Sequence, residues 1–195
     1  MSEARVLEYV EEHRDEMIRF LKRLVRIDTQ TPPGLNYDVI SDVIADTLSG
    51  LGCDVCIHEA PEKYMELSGA ETMGLEGPRS NVVAKYPGRT GKPVLHISAH
   101  IDTAAIQEEG WIVDPLGGEV TKDNPYGRSA SDRGGGYIWG RGVADDKGEL
   151  ASMIYALQAV HELGVKLDGD LILTANCDEE IGGVAGLGFL CRRGS

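Results

Sequence analysis

Three short apolar runs, each leading into residues that can hold a metal or move a proton, constrain this chain more than any other feature. Residues 94–99, VLHISA, run straight into His100-Ile101-Asp102. Tyr137-Ile138-Trp139 runs into Gly140-Arg141-Gly142-Val143-Ala144-Asp145-Asp146-Lys147-Gly148. Residues 171–175, LILTA, lead to Asp178-Glu179-Glu180-Ile181-Gly182-Gly183. The first run is apolar almost throughout, which predicts a central strand covered on both faces. Open α/β sheets carry their sites in the crevice outside the strand ends, where all three motifs would fall.

The intervening sequence reads as helix and turn. Residues 3–27 place Val6, Leu7, Val10, Met17, Leu21, Leu24 and Val25 at helical spacing, so one amphipathic helix is expected there. Thr31-Pro32-Pro33-Gly34 stops it. A second helix runs from about Tyr37 to Gly50, and a short strand carries Val55 and Ile57. Residues 59–80 read as loop and 81–86 as strand. Residues 103–136 form a long connection holding Trp111, Asp114-Pro115, Asn124-Pro125 and Gly134-Gly135-Gly136. Residues 147–163 are the clearest helix, and 184–192 read as another. The expected fold class is α/β, a mixed central sheet with helices on both faces in a single domain.

Composition narrows the partners. A formal net charge of −13 argues against nucleic acid or an anionic membrane surface. No apolar run approaches membrane-spanning length. Cys53, Cys56, Cys177 and Cys191 form neither a disulfide framework nor a paired zinc motif, so a cytoplasmic setting is expected.

Each motif has a bland alternative. His100 and Asp102 point to the same side of an extended segment, so the imidazole can bind a metal while the carboxylate fixes the ring. For an isolated H-x-D, a surface histidine at a strand terminus is the better reading. His96, inside the strand, reads as a core histidine. Asp145 can bridge two metal ions through its two oxygens, or simply favour a helix N-terminus. Glu179 and Glu180 diverge at a strand end, so one can hold a metal while the other holds the water. An acidic loop before glycines is the plain reading. The set of three decides between them. Residues 88–93 have the wrong glycine spacing and a proline in place of the P-loop Ser or Thr. Asp145 stands where a dinucleotide fingerprint needs its third glycine, and no G-x-S-x-G elbow is present.

Together the motifs resemble those of the co-catalytic zinc amidohydrolases: aminoacylases, acetylornithine deacetylases, succinyl-diaminopimelate desuccinylases and glutamate carboxypeptidases. IDTQTPPG after the first helix, Arg79-Ser80-Asn81-Val82-Val83, and Trp111 with Asp114-Pro115 extend the resemblance over the whole chain. It implies a phosphorylase/hydrolase-like catalytic domain holding two divalent ions, zinc or cobalt. His100 would ligate one ion, Asp145 would bridge both, and Glu180 would ligate the other. Glu179 would be the general acid/base and Asp102 would support His100. The peptide bond after Asp145 would be cis. The implied substrates are N-acyl amino acids or small peptides, with a homodimer as the full-length form. The resemblance also implies a further acidic ligand, a later histidine ligand and an inserted lid domain. None of these occurs within residues 1–195, which therefore read as an N-terminal portion of the catalytic domain. The 45 residues from His100 to Asp145 imply an expanded loop. A non-catalytic relative using the fold for binding is the alternative; keeping both glutamates speaks against it.

Overall fold

The computed structural model describes residues 3–107, 109–124 and 136–192. The turn residues Pro125, Gly134 and Gly135 of the long connection lie outside them. The elements, in chain order, begin with helices α1 (Glu3–Glu12), α2 (Arg14–Val25) and α3 (Tyr37–Gly50), then strand β1 (Asp54–Glu59). Short helices α4 (Glu62–Leu67) and α5 (Ala70–Met73) follow, then strands β2 (Ser80–Tyr86), β3 (Leu95–His100), β4 (Glu119–Thr121) and β5 (Tyr137–Trp139). Helix α6 (Lys147–Glu162), strand β6 (Leu171–Asn176), a 3-10 turn (Glu179–Ile181) and helix α7 (Leu187–Arg192) complete it.

Strands β1, β2, β6 and β3 form one mixed sheet in that order. β2 runs antiparallel to both β1 and β6, while β3 and β6 are parallel, joined across α6. Alternation along the strands sets the layers. Val82 pairs with Ala175 and Ala84 with Leu173, and all four are buried with Ile40, Ile44 and Leu48 of α3 and Leu150, Ile154 and Leu157 of α6. These helical residues repeat at three- and four-residue steps, one stripe against one sheet face. Burying each such side chain contributes roughly 1.5–3 kcal/mol. On the opposite face, Val83, Ile172 and Thr174 look toward Leu187 and Leu190 of α7.

The α/β class and its mixed sheet agree with the sequence reading, but several details differ. Residues 3–27 are two helices, not one. His13 breaks them: its Nδ1 lies 2.8 Å from the Tyr9 carbonyl oxygen, and its ring stacks on Tyr9. Residues 59–80 contain two short helices that their scattered glycines hid. β3 is not central. Among the described residues it pairs with β6 alone, and Leu95 is 58% exposed. Apolar character along a strand reports its two faces and says nothing about its edges. His96 is exposed rather than core, with Nε2 3.0 Å from Thr174 Oγ1. β5 belongs to a separate two-stranded ribbon with β4, so Asp145 follows a hairpin strand and not a strand of the main sheet.

Helix α6 starts against the turn that carries Asp145. A Cβ added at Gly148 would fall on the Val143 carbonyl oxygen, so only glycine permits this approach. Gly148→Ala should therefore cost about 1–3 kcal/mol, read as a fall of several degrees in Tm for a chain of this size. An unchanged Tm would mean that α6 is free to back away from the turn.

Candidate metal centre

The parallel register explains why two motifs distant in sequence meet. His100 pairs with Asn176, so β3 and β6 end side by side and release their following residues at the same edge. Asp102 then lies next to the turn of Glu179 and Glu180. Its carboxylate is fully buried. One oxygen accepts the Glu179 N–H at 3.1 Å and the other accepts the Glu180 N–H at 3.0 Å. The Asp102 backbone carbonyl takes the His100 Nδ1–H at 3.0 Å, and its Oδ1 stands 3.4 Å from the same nitrogen. A carbonyl only accepts, so Nδ1 carries a proton and Nε2 faces outward.

Asp145 arrives from the other direction. Gly142, at φ +82, turns the chain where a side chain would strike the Thr103 methyl and the Lys147 stem. The Asp145–Asp146 bond is cis. Asp146 Oδ2 accepts the His100 N–H at 3.0 Å, which ties the turn to the end of β3. Lys147 is buried, and its ammonium donates to the Leu24 and Ile27 carbonyls at the end of α2. Burial lowers the Lys147 pKa to about 8, against the pull of Asp28 and Asp102.

These anchors bring His100, Asp145 and Glu180 together: one donor atom from each lies within 4.8 Å of the others. His100 Nε2 is 2.9 Å from Asp145 Oδ1 and 3.7 Å from Glu179 Oε2. Glu180 Oε1 accepts the Ala104 N–H at 2.9 Å. The Asp145 side chain is 78% exposed and that of Glu179 63%, so the centre opens to the surface. A ring nitrogen facing a carboxylate at 2.9 Å demands a shared positive charge. Burial pulls the His100 pKa down, but the hydrogen bond and charge of Asp102, then Asp145 and Asp146, outweigh it and lift the value to about 9. A divalent cation meets the same demand, and one imidazole with two carboxylates is a donor set suited to zinc. The residues present thus fit a metal.

Two residues without a role in the sequence reading also shape the centre. Asp178, first of the acidic triplet, points away from the donors and is fully buried against Arg79 and Tyr37. Asn81 accepts the Cys177 N–H and donates to the Ala185 carbonyl, bracketing the same turn. Charged and amide residues at the mouth of a strand were the available signal.

A mixed α/β sheet with His100, Asp145 and Glu180 gathered at its strand ends has the catalytic-domain architecture of metal-dependent peptidases. Residues 96–194 match the family model described as "Peptidase family M20/M25/M40", and the chain belongs to that family. It is 32% identical over 188 residues to the N-formyl-4-amino-5-aminomethyl-2-methylpyrimidine deformylase of Bacillus subtilis, covering 95% of this chain and 37% of that protein. It is 27% identical over 192 residues to the Cys-Gly metallodipeptidase dug1 of Schizosaccharomyces pombe, covering 93% and 35%. Among solved structures, human carnosine dipeptidase 1 superposes with a TM-score of 0.71 at 25% identity, covering 92% of this chain and 35% of that one. The chain thus spans a little over a third of the length of these relatives.

Asp102 is the test of this geometry. Asp102→Ala leaves two backbone N–H groups without their carboxylate and should cost about 2–4 kcal/mol in denaturant unfolding. Asp102→Asn, which keeps one acceptor oxygen, should cost clearly less. Equal losses for the two would show that the N–H contacts are not what the carboxylate supplies.

Proposed function

We propose that the chain carries part of the active site of a metal-dependent amide hydrolase acting on N-acyl amino acids or small peptides. The observation supporting this most directly is the convergence of His100, Asp145 and Glu180 with Glu179 beside them. In this reading His100 and Glu180 would each hold an ion, with Asp145, the most exposed donor, shared between them. A bound zinc or cobalt ion would lower the pKa of water to about 7 and polarise a carbonyl oxygen.

The chain's own residues do the rest. The Glu179 carboxylate takes the proton of the attacking water and returns it to the leaving amine, a role that needs an ionised, solvent-reaching side chain. Its exposure and its 3.7 Å separation from His100 Nε2 suit that task. Asp102 holds the imidazole with Nε2 directed outward and keeps both glutamate amides in place. Glu180 is steadied by the Ala104 N–H, which leaves its carboxylate oriented toward His100. The relatives named for deformylation and for dipeptide cleavage share one bond type, the amide, and differ in what flanks it. We therefore assign the reaction class and leave the flanking groups open. Among the described residues no helix is long and apolar enough to cross a membrane, and the four free cysteines suit a reducing, cytoplasmic setting.

Metal titration separates the roles. Zinc binding, followed by competition with a chromophoric chelator, should be weakened at least about tenfold by His100→Ala or Asp145→Ala. Glu179→Gln should leave it within about threefold. In full-length protein bearing these residues, Glu179→Gln should lower kcat by about 10²–10⁴. Near-normal turnover in that variant would refute the assignment of Glu179. Three donors form an incomplete set for two ions, so the 195-residue chain by itself should bind less than two equivalents of zinc and hydrolyse no N-acetyl amino acid.

A further inference from the structure

We propose that Arg79 is a positioning residue for Glu179 and Glu180, acting through Asp178. This rests on the reading of those two glutamates as base and metal ligand.

Arg79 touches none of the donor atoms, yet it is among the largest side chains with no exposed surface. Its Nε donates to Asp178 Oδ2 at 2.8 Å in an ion pair whose two side chains are 0% exposed. Nη1 donates to the carbonyls of Gly34 at 3.1 Å and Glu76 at 2.5 Å, and Nη2 to that of Pro33 at 2.9 Å. The other Asp178 oxygen accepts the Tyr37 hydroxyl at 2.9 Å. Buried ion pairs seldom stabilise a fold more than apolar residues of the same volume would. One with this many fitted contacts calls for another explanation, and the backbone supplies it.

Asp178 sits at φ 59 and ψ 24, a left-handed conformation that an ordinary L-residue resists. Holding both of its carboxylate oxygens keeps it there. The next two peptide N–H groups then point at the Asp102 carboxylate, and the Glu179 and Glu180 side chains leave the turn toward His100. If Asp178 relaxes to an extended or right-handed conformation, the chain direction changes at that residue and both glutamates move together. Arg79 therefore fixes, from beneath, what Asp102 fixes from above. Its second anchor is the Pro33–Gly34 turn, so the clamp also couples the N-terminal helices to the acidic turn.

Hydrogen exchange and zinc affinity, measured on the whole 195-residue chain, test this together. In Arg79→Lys the charge remains but the planar fork is lost. Exchange protection at the Glu179 and Glu180 amides should fall about tenfold or more, while the Leu173 and Ala175 amides of β6 stay within about threefold. Zinc should bind about 10–100-fold more weakly, the range for residues that orient metal ligands. Should that variant fail to fold, Asp178→Asn decides the matter. Asparagine tolerates the left-handed conformation but breaks the ion pair, so the same local loss should appear in milder form. Unchanged protection at Glu179 and Glu180 in whichever variant folds would overturn the proposal. So would an equal fall across β6, which would make Arg79 a support of the whole fold. Absence of zinc binding by the unaltered chain would count against the metal-site reading and not against the clamp, which the exchange pattern decides by itself.

Discussion

The Asp102 carboxylate is the point on which the rest of this structure turns. Strand pairing brings β3 and β6 side by side, but pairing alone leaves the residues beyond their ends free to splay. Asp102 closes that gap by accepting the N–H groups of Glu179 and Glu180 while its main-chain carbonyl holds the His100 ring. A fully buried carboxylate is costly unless its oxygens are satisfied, and here the groups that satisfy it belong to the acidic motif. One residue thus converts adjacency of two strands into a fixed relation between an imidazole and a carboxylate pair.

The third motif reaches the centre by a different kind of restraint. Asp145 comes from a turn beyond a separate hairpin, and three contacts hold it: Asp146 on the His100 N–H, Lys147 on the end of α2, and Gly148 against Val143. Asp102, Asp146 and Lys147, the charged neighbours that frame the donors, bond to backbone groups. Lys147, next to the Asp145–Asp146 turn, is buried, and its ammonium is committed to the Leu24 and Ile27 carbonyls. The negative charge of Asp145 and Glu179 is met in part by the proton of His100, whose pKa is lifted to about 9; a divalent cation would replace that proton. Carboxylates gathered round an outward-facing imidazole distinguish this site from an acidic surface loop.

Much of this was legible in the residues, for identifiable reasons. Helix and strand periodicities located most elements because their apolar stripes face one sheet. The donor residues stood out because each followed a strand-like run. What was hidden depended on partners remote in sequence. The edge position of β3 is invisible because a strand's apolar faces carry no record of its neighbours. The break at His13 depends on a single side chain folding back on Tyr9. Asp178 looked like a member of an acidic patch, and only the meeting of residues 79 and 178 across the sheet shows that it faces inward. Gly148 read as part of a motif, whereas its reason is the Val143 carbonyl lying against it.

Anomalous diffraction from crystals of the chain soaked in zinc tests the central claim most directly. A peak at the wavelength of the zinc edge is expected among His100 Nε2, Asp145 and Glu180, at roughly 2.0–2.2 Å from each ligand atom it contacts. A peak at another set of residues, or none there at saturating zinc, would contradict it.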